Sequence, residues 1–586
     1  MFAVLALGLA ALVARLALLL HVDQGAAAAE AGRQHRMVIR LPGRPGNIFA
    51  RAKQRYILLA GSKQVPFCYA DPGMVTSDAE LEKLAAKVAP VIGLTHGETF
   101  GLMLARRDAR FTILKRDLSE EQVRAVEALR LGAVAVDYEW RRDYPNGELA
   151  ATVLGYRRRD GQAGAGLEQT FDREYLAGAD GQRVVLADAG RRAIWPVDSE
   201  CTPPRDGQHV FLSIDAGVQG FLQEAVAESV GKFAAQWGVG IVVNPQTGQV
   251  LAMCSVPGFN PNEYERYAPE AVTNKALCVP YEPGSVLKPL FAAAAVDAGV
   301  MSYDTPIFCE KGAYEANRGG RITDHGASYG TMSLTDVVVF SSNIGMAKVG
   351  EAMGNSALYE TADRFGLGRA TGIELPGESR GIVRNPRLWD GYSTRRVPFG
   401  QEISVTSLQL AMAFSAIANG GWLVRPRIVD CVRDARGQTV WRSERQVVRR
   451  ALGEQAAAQT TAVLREVVQR GTGKACQMER WSCFGKTGTA QIARDGVYVD
   501  GAFVGSFVGA APAERAEVLC LISIYWPDVS RGHYGSTVAA PYVRQVLERT
   551  LAYLDVPPDL EPERPKLAGA RRAGGQPLAA GPVGHD

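Results

Sequence analysis

Tyr281-Glu282-Pro283-Gly284-Ser285-Val286-Leu287-Lys288-Pro289 is the stretch on which the reading of this chain turns. Pro283-Gly284 has turn chemistry, and Pro289 is accommodated in the first turn of a helix but not in its interior. The pattern predicts a turn that delivers Ser285 to the start of a helix. A spacing of three places Ser285 and Lys288 on one helical face, with the positive end of the helix toward the serine. Serine becomes a useful nucleophile when a base takes its proton, and Lys288 can be that base only as the neutral amine. Moving a lysine pKa from about 10.4 to near 7 takes roughly 4 to 5 kcal/mol of bias against the cation. Burial and a second cation nearby supply such a bias.

Ser341-Ser342-Asn343 and Lys486-Thr487-Gly488-Thr489 follow in that order. Lys486 is the natural second cation. Ser341 can donate and accept at once, which suits a proton relay to a leaving amine. Asn343 offers an amide to orient Lys288 or a substrate carbonyl. Gly488 removes a side chain where a substrate backbone would approach a strand edge, and the Thr487 and Thr489 hydroxyls can hold a carboxylate. The Thr489 N–H, paired with that of Ser285, would complete an oxyanion hole. Each signature is weak alone. In this order they match the S-x-x-K, S-x-N and K-T-G set found in enzymes whose serine is acylated by penicillin-like or D-alanyl-D-alanine substrates.

A second S-x-x-K, Ser229-Val230-Gly231-Lys232, lies in the middle of an expected helix, with no turn before it and no helix terminus to polarise it. It reads as structural. None of the seven histidines falls inside the motifs, and no G-x-S-x-G elbow surrounds Ser285, so a Ser-His-Asp hydrolase is disfavoured. His325, in Asp324-His325-Gly326, reads as a loop residue.

At 586 residues the chain is expected to hold more than one folded unit, and a formal net charge of +3 gives no field that argues for nucleic acid. Nine scattered cysteines without a C-x-x-C pair predict no metal, and nothing in the sequence asks for a cofactor. They read as buried thiols, with one disulfide open in an oxidising compartment. Phe2 to Leu20 is apolar except for Arg15, about the length that crosses a bilayer. A single membrane anchor is the first reading. A cleaved signal peptide ending near Ala26-Ala27-Ala28 is its competitor.

From Arg36 to Asp206 short β-like runs alternate with helical stretches, one of them near Leu118 to Leu131, which makes an α+β module. The polar, proline-rich run Cys201 to Gly207 reads as a boundary. Beyond it Asp215 caps a helix carrying Val218, Leu222, Ala225 and Val226 on one face, and Val239–Val243 with Val250–Met253 form a hairpin. Val518 to Trp526 reads as a late buried strand and Pro541 as the start of a closing helix. Strands at both ends with helices between predict one mixed α/β unit, a sheet covered by helices. Residues 561–586 read as a disordered tail.

At these motifs the chain resembles the class B penicillin-binding proteins, monofunctional peptidoglycan D,D-transpeptidases, and most closely their cell-division branch. Asn244-Pro245-Gln246-Thr247-Gly248, Arg364-Phe365-Gly366-Leu367-Gly368, Phe399-Gly400-Gln401, Ala418-Asn419-Gly420-Gly421 and Val538-Ala539-Ala540-Pro541 look like that family's transpeptidase domain. Tyr144-Pro145-Asn146-Gly147 and Gly166-Leu167-Glu168 look like its pedestal domain. Where the family has R-G-x-I-x-D-R, this chain carries Arg44-Pro45-Gly46-Asn47-Ile48-Phe49-Ala50-Arg51. The resemblance implies a β-lactamase-like transpeptidase domain, a central antiparallel sheet flanked by helices, over 206–557. It implies a pedestal over 23–205, a transmembrane anchor over 1–22 and a disordered tail over 558–586.

The family further implies that Ser285 attacks a terminal D-alanyl-D-alanine on a peptidoglycan stem, releases D-alanine and passes the acyl group to an amine on a neighbouring stem. Lys288 would be the base, Ser341 and Lys486 the proton relay, Asn343 an orienting amide, and Thr487, Gly488 and Thr489 the substrate contacts. Penicillins should acylate Ser285. The chain would be single-pass in the cytoplasmic membrane with its catalytic domain outside. A membrane glycan polymerase and other divisome proteins would be its partners. A membrane-anchored β-lactamase, a β-lactam sensor and a non-catalytic division scaffold are the alternatives.

Overall fold

The computed structural model describes residues 2–21, 36–109, 111–187, 193–196, 200–316, 320–326, 328–494 and 496–561. Phe2–His21 form a helix of twenty residues, α1, apolar but for Arg15 and His21. Among the described residues no helix meets the length and apolarity needed to cross a membrane. Ala26-Ala27-Ala28 lie outside the described residues, as does the expected tail beyond Glu561. All nine cysteines are free thiols.

β1 (Ile48–Ala52) turns through Lys53, at φ 55°, into β2 (Arg55–Ala70). The short apolar run expected at Tyr56–Leu59 is thus the start of a sixteen-residue strand. α2 (Asp78–Ile92), capped by the Ser77 hydroxyl, lays Leu81, Ala85, Val88 and Ile92 into a small separate core beside the far half of β2. There β2 pairs with β3 (Thr112–Arg116) on one side and, beyond α3 (Glu120–Ala128), with β4 (Val134–Asp143) on the other. α3 is shorter than its apolar pattern because Ser119 and Gln122 form a capping box that starts the helix there.

One buried carboxylate ties this module together. Glu168 accepts from Arg142 Nε at 2.5 Å and from the Tyr144 hydroxyl at 3.2 Å, while Arg142 Nη1 also donates to the Gly46 carbonyl at 2.5 Å. Paired and hydrogen-bonded, charges can remain out of water.

The strands on either side of the polar run 201–207 share a sheet. β5 (His209–Asp215) runs parallel to β1, aligning Ile48 with Val210 and Phe49 with Phe211, and antiparallel to Val429–Arg433 on its other side. A single sheet therefore joins the amino-terminal module to the rest, with the Phe49 and Phe211 rings stacked at 5.0 Å.

Asp215 starts α4 (Ala216–Lys232) by accepting from Gly217 N at 2.9 Å and Val218 N at 3.2 Å. β6 (Trp237–Val243) and β7 (Val250–Val256) form the hairpin. The helical middle contains α5 (Lys288–Asp297), α6 (Asn343–Arg364) and α7 (Ser407–Ala418), and then come β8 (Phe484–Arg494), β9 (Val497–Ala511) and β10 (Val518–Tyr525). α8 (Ala540–Tyr553) closes the unit, with Pro541 in its first turn.

The five strands make one antiparallel sheet in the order β7-β6-β10-β9-β8. Its two faces follow from alternation. Ile241, Val243, Leu519 and Leu521 enter one core, while Val242, Cys520, Ile522 and Ile524 enter the other with α4 and α8. α7 is buried from Ser407 to Ile417, as a helix wrapped on all sides should be. Gly240 lets α4 approach, since a Cβ there would meet Leu222 Cδ1 at 2.6 Å.

Ser229 is buried in α4 and donates to the Val538 carbonyl at 2.6 Å. Ser229→Ala is expected to cost about 1 to 2 kcal/mol of stability through that lost bond, which thermal melting checks.

Candidate active site

Ser285 does stand at a helix start, by way of a tighter turn than expected. Gly284–Leu287 form one turn of 3₁₀-helix that runs directly into α5, with Pro289 in the first turn. Gly284 takes φ 58° and donates its N–H to the Gly400 carbonyl at 3.1 Å; a Cβ at Gly284 would sit 2.9 Å from the Thr489 carbonyl. Only glycine lets the serine turn lie this close to β8. Glu282 braces the turn, accepting from Glu402 N at 2.9 Å and from the Tyr498 hydroxyl at 2.8 Å, with burial raising its carboxyl above the usual range. Tyr281, buried below, meets Ser523 Oγ at 2.7 Å.

Ser341 is held at φ 64°, a left-handed conformation uncommon outside glycine, just before Ser342 caps α6. That turn aims Ser341 at two lysines. Lys288 Nζ donates to the Ser341 carbonyl at 2.5 Å, to Asn343 Oδ1 at 2.8 Å and to Ser341 Oγ at 3.2 Å. Lys486 Nζ reaches the same Ser341 Oγ at 3.1 Å, and Thr487 O at 3.1 Å. Neither lysine exposes any surface to solvent. Burial first, and then the neighbouring Lys486 charge, hold Lys288 well below the ordinary lysine range; burial brings Lys486 down to about 7. Two unpaired cations in so dry a place are costly, so a neutral Lys288 is the favoured state. A neutral amine needs only two of its three acceptors, which frees its lone pair to take a proton.

β8 is the last strand of the sheet, and the Ser285 turn packs against it. Lys486, Thr487, Gly488 and Thr489 pair with Val508, Phe507, Ser506 and Gly505 of β9. The Thr487 hydroxyl meets Thr472 Oγ1 at 2.7 Å, and Thr489 Oγ1 accepts from Gly535 N at 3.2 Å. A Cβ at Gly488 would come within 2.4 Å of Val286 Cγ2 and 2.9 Å of the Pro283 carbonyl. Gly488→Ala should therefore push the serine turn off the strand. Overpacking of this kind costs about 1 to 3 kcal/mol, so acylation by labelled penicillin is expected to slow by about 10- to 100-fold. A rate within twofold of the parent would show that the contact yields freely.

Ser285, Lys288, Ser341, Asn343, Lys486, Thr487, Gly488 and Thr489 thus come from three distant segments to one cleft. Three participants carried no signal in the motif pattern: Thr472, Tyr534 and Asp324. Asp324 lies in the same Asp-His-Gly run that drew notice only for its histidine, and its carboxylate accepts from Asn343 N at 2.6 Å, Ile344 N at 3.1 Å and the Ser342 hydroxyl at 2.9 Å. His325 is a loop residue whose Nε2 lies 2.7 Å from the Tyr534 hydroxyl. Among the described residues no group of three or more His, Cys, Asp or Glu side chains could hold a metal ion.

A serine at a helix start, a buried lysine one turn on, and a lysine-threonine strand edge closing the cleft define the active-serine acyltransferases that penicillins inhibit. Comparison with known proteins narrows the class. Residues 238–548 match the penicillin-binding protein transpeptidase domain, and residues 41–212 match the penicillin-binding protein dimerisation domain. The chain belongs to the penicillin-binding protein transpeptidase family, in its class B branch.

Among its relatives is the probable peptidoglycan D,D-transpeptidase PbpC of Pseudomonas aeruginosa, 31% identical over 471 residues, 80% of each chain. Stage V sporulation protein D of Bacillus subtilis is 30% identical over 508 residues, 86% of this chain and 77% of that one. The peptidoglycan D,D-transpeptidase FtsI of Escherichia coli is 30% identical over 459 residues, 78% and 74% of the two chains. Penicillin-binding protein 3 of Mycobacterium tuberculosis, solved with aztreonam, superposes with a TM-score of 0.68 at 26% identity, over 89% of this chain and 98% of that one.

Proposed function

We propose that this peptidoglycan D,D-transpeptidase works through Ser285 and the two buried lysines. The observation that carries the reading is the Ser341 hydroxyl, shared at 3.2 and 3.1 Å between Lys288 and Lys486 beside the Ser285 turn. In acylation Ser285 Oγ adds to the carbonyl of the penultimate D-alanine of a stem peptide while its proton passes to Lys288. The oxyanion lies against the backbone N–H groups of Ser285 and Thr489. The C–N bond then breaks as the leaving D-alanine nitrogen takes a proton relayed through Ser341. An acceptor amine attacks the resulting ester, gives up a proton to Lys288, and Ser285 recovers its own. A β-lactam enters the same first step, but its leaving nitrogen stays tethered in the opened ring and blocks the acceptor.

The same reading gives the chain four parts at residues 1–22, 23–205, 206–557 and 558–586, the first an anchor in the cytoplasmic membrane with catalysis outside. The apolar sequence from Phe2 to Leu20, broken by Arg15 alone, is what supports the anchor. Septal wall synthesis beside a separate glycan polymerase is the setting that the resemblance to the cell-division branch favours. The direct test supplies a pentapeptide-bearing substrate and an acceptor amine. Release of D-alanine with formation of the cross-linked product, both stopped by penicillin, supports the reading. Steady hydrolysis of penicillin without cross-linking would instead make it a β-lactamase.

A further inference from the structure

Asp324 directly follows the short strand Gly320–Thr323 and lies outside all three motifs. Among the described residues it forms no salt bridge, yet it is half-buried against the turn that starts α6. Its Oδ1 takes the first two N–H groups of α6, those of Asn343 and Ile344, and its Oδ2 takes the Ser342 hydroxyl. Ser342 Oγ in turn accepts from Gly345 N at 2.9 Å, so the helix end is closed by a carboxylate and a hydroxyl acting together. The preceding carbonyl, Thr323 O, accepts from Asn343 Nδ2 at 3.0 Å. That bond fixes which way the amide faces, leaving Asn343 Oδ1 to Lys288. One step further along, His325 reaches Tyr534, the neighbour of the Gly535 that contacts Thr489. The segment therefore spans the cleft from the S-x-N turn to the K-T-G strand.

We propose that Asp324 is a positioning residue of the acyl-transfer site: its carboxylate clamps the Ser341-Ser342-Asn343 turn so that the Ser341 hydroxyl stays between the two lysines. The strained conformation at Ser341, φ 64°, is the state that needs such a clamp. Asp324 also brings charge. The groups facing Lys288 are Lys486 from β8, the Cys309 thiol and Asp324, and of these Asp324 is the carboxylate that favours the protonated amine against burial and Lys486. The inference rests on Lys288 being the base.

Asp324→Asn keeps an oxygen for the two N–H groups and removes the negative charge. Lys288 then loses its proton more easily, so the acid limb of penicillin acylation is expected to move to lower pH by about one unit, with the plateau rate within about tenfold of the parent. Asp324→Ala removes the clamp as well and should slow acylation about 100-fold at every pH. A limb that does not move in Asp324→Asn, or an alanine variant acylating within threefold of the parent, overturns the proposal; should the alanine variant fail to fold, the asparagine limb alone decides. Lys288→Ala separates this from the underlying reading. If that variant acylates normally the base assignment fails; if it is dead and the Asp324→Asn limb stays put, only the role of Asp324 fails.

Discussion

Ser285→Ala is expected to take up no fluorescent penicillin at all, while melting within a few degrees of the parent. The side chain lost is small and only half-buried, so little packing goes with it. The chemistry lost is the whole covalent step, because no ester can form without the hydroxyl. The other serines near the cleft are poor substitutes. Ser341 sits between the two lysines but belongs to the far wall of the cleft, and Ser342 is spent on capping α6 and on Asp324. Ser229 is bonded to Val538 O in a separate core. Label that survives Ser285→Ala would move the nucleophile to one of these.

Lys288→Ala is the second large effect, a fall of about 100- to 10,000-fold in acylation, the usual worth of a positioned base. Some stability goes too, about 1 to 3 kcal/mol, since Asn343 Oδ1 and the Ser341 carbonyl lose their donor. The parent enzyme supplies the complementary evidence through pH. A lysine pressed well below its ordinary range is neutral at moderate pH, so acylation should rise with pH through an acid limb and then level off. Below the limb the rate drops about tenfold per unit, as the protonated amine can no longer take the serine proton. Acylation that climbs steadily toward pH 10 would mean an ordinary lysine. Near-normal rates in Lys288→Ala would remove it from the mechanism.

Much of this site was legible in the residues because its chemistry is local. Pro283-Gly284 before Ser285 and Pro289 after Lys288 dictate a turn and a helix start whatever the rest of the chain does. Asp215 and Pro541 mark helix starts for the same reason. The buried strands Trp237–Val243 and Val518–Tyr525 announced themselves as continuous apolar runs. What escaped was long-range. Asp324 acts through backbone groups of α6, and nothing in its own neighbourhood says which helix it will cap. β5 reads as the first strand of a new unit because the polar run before it resembles a linker, and nothing local shows that it also pairs with β1 across that run. A linker composition reports local solubility, whereas sheet membership is decided by a partner some 160 residues earlier.

Peptide mapping of the penicilloyl protein by mass spectrometry tests the central claim most directly. The bound drug should appear once, on the peptide containing Ser285, and persist through the digest as an ester. An adduct on the Ser341 or Ser229 peptide, or a protein that turns penicillin over and carries none, would contradict the account.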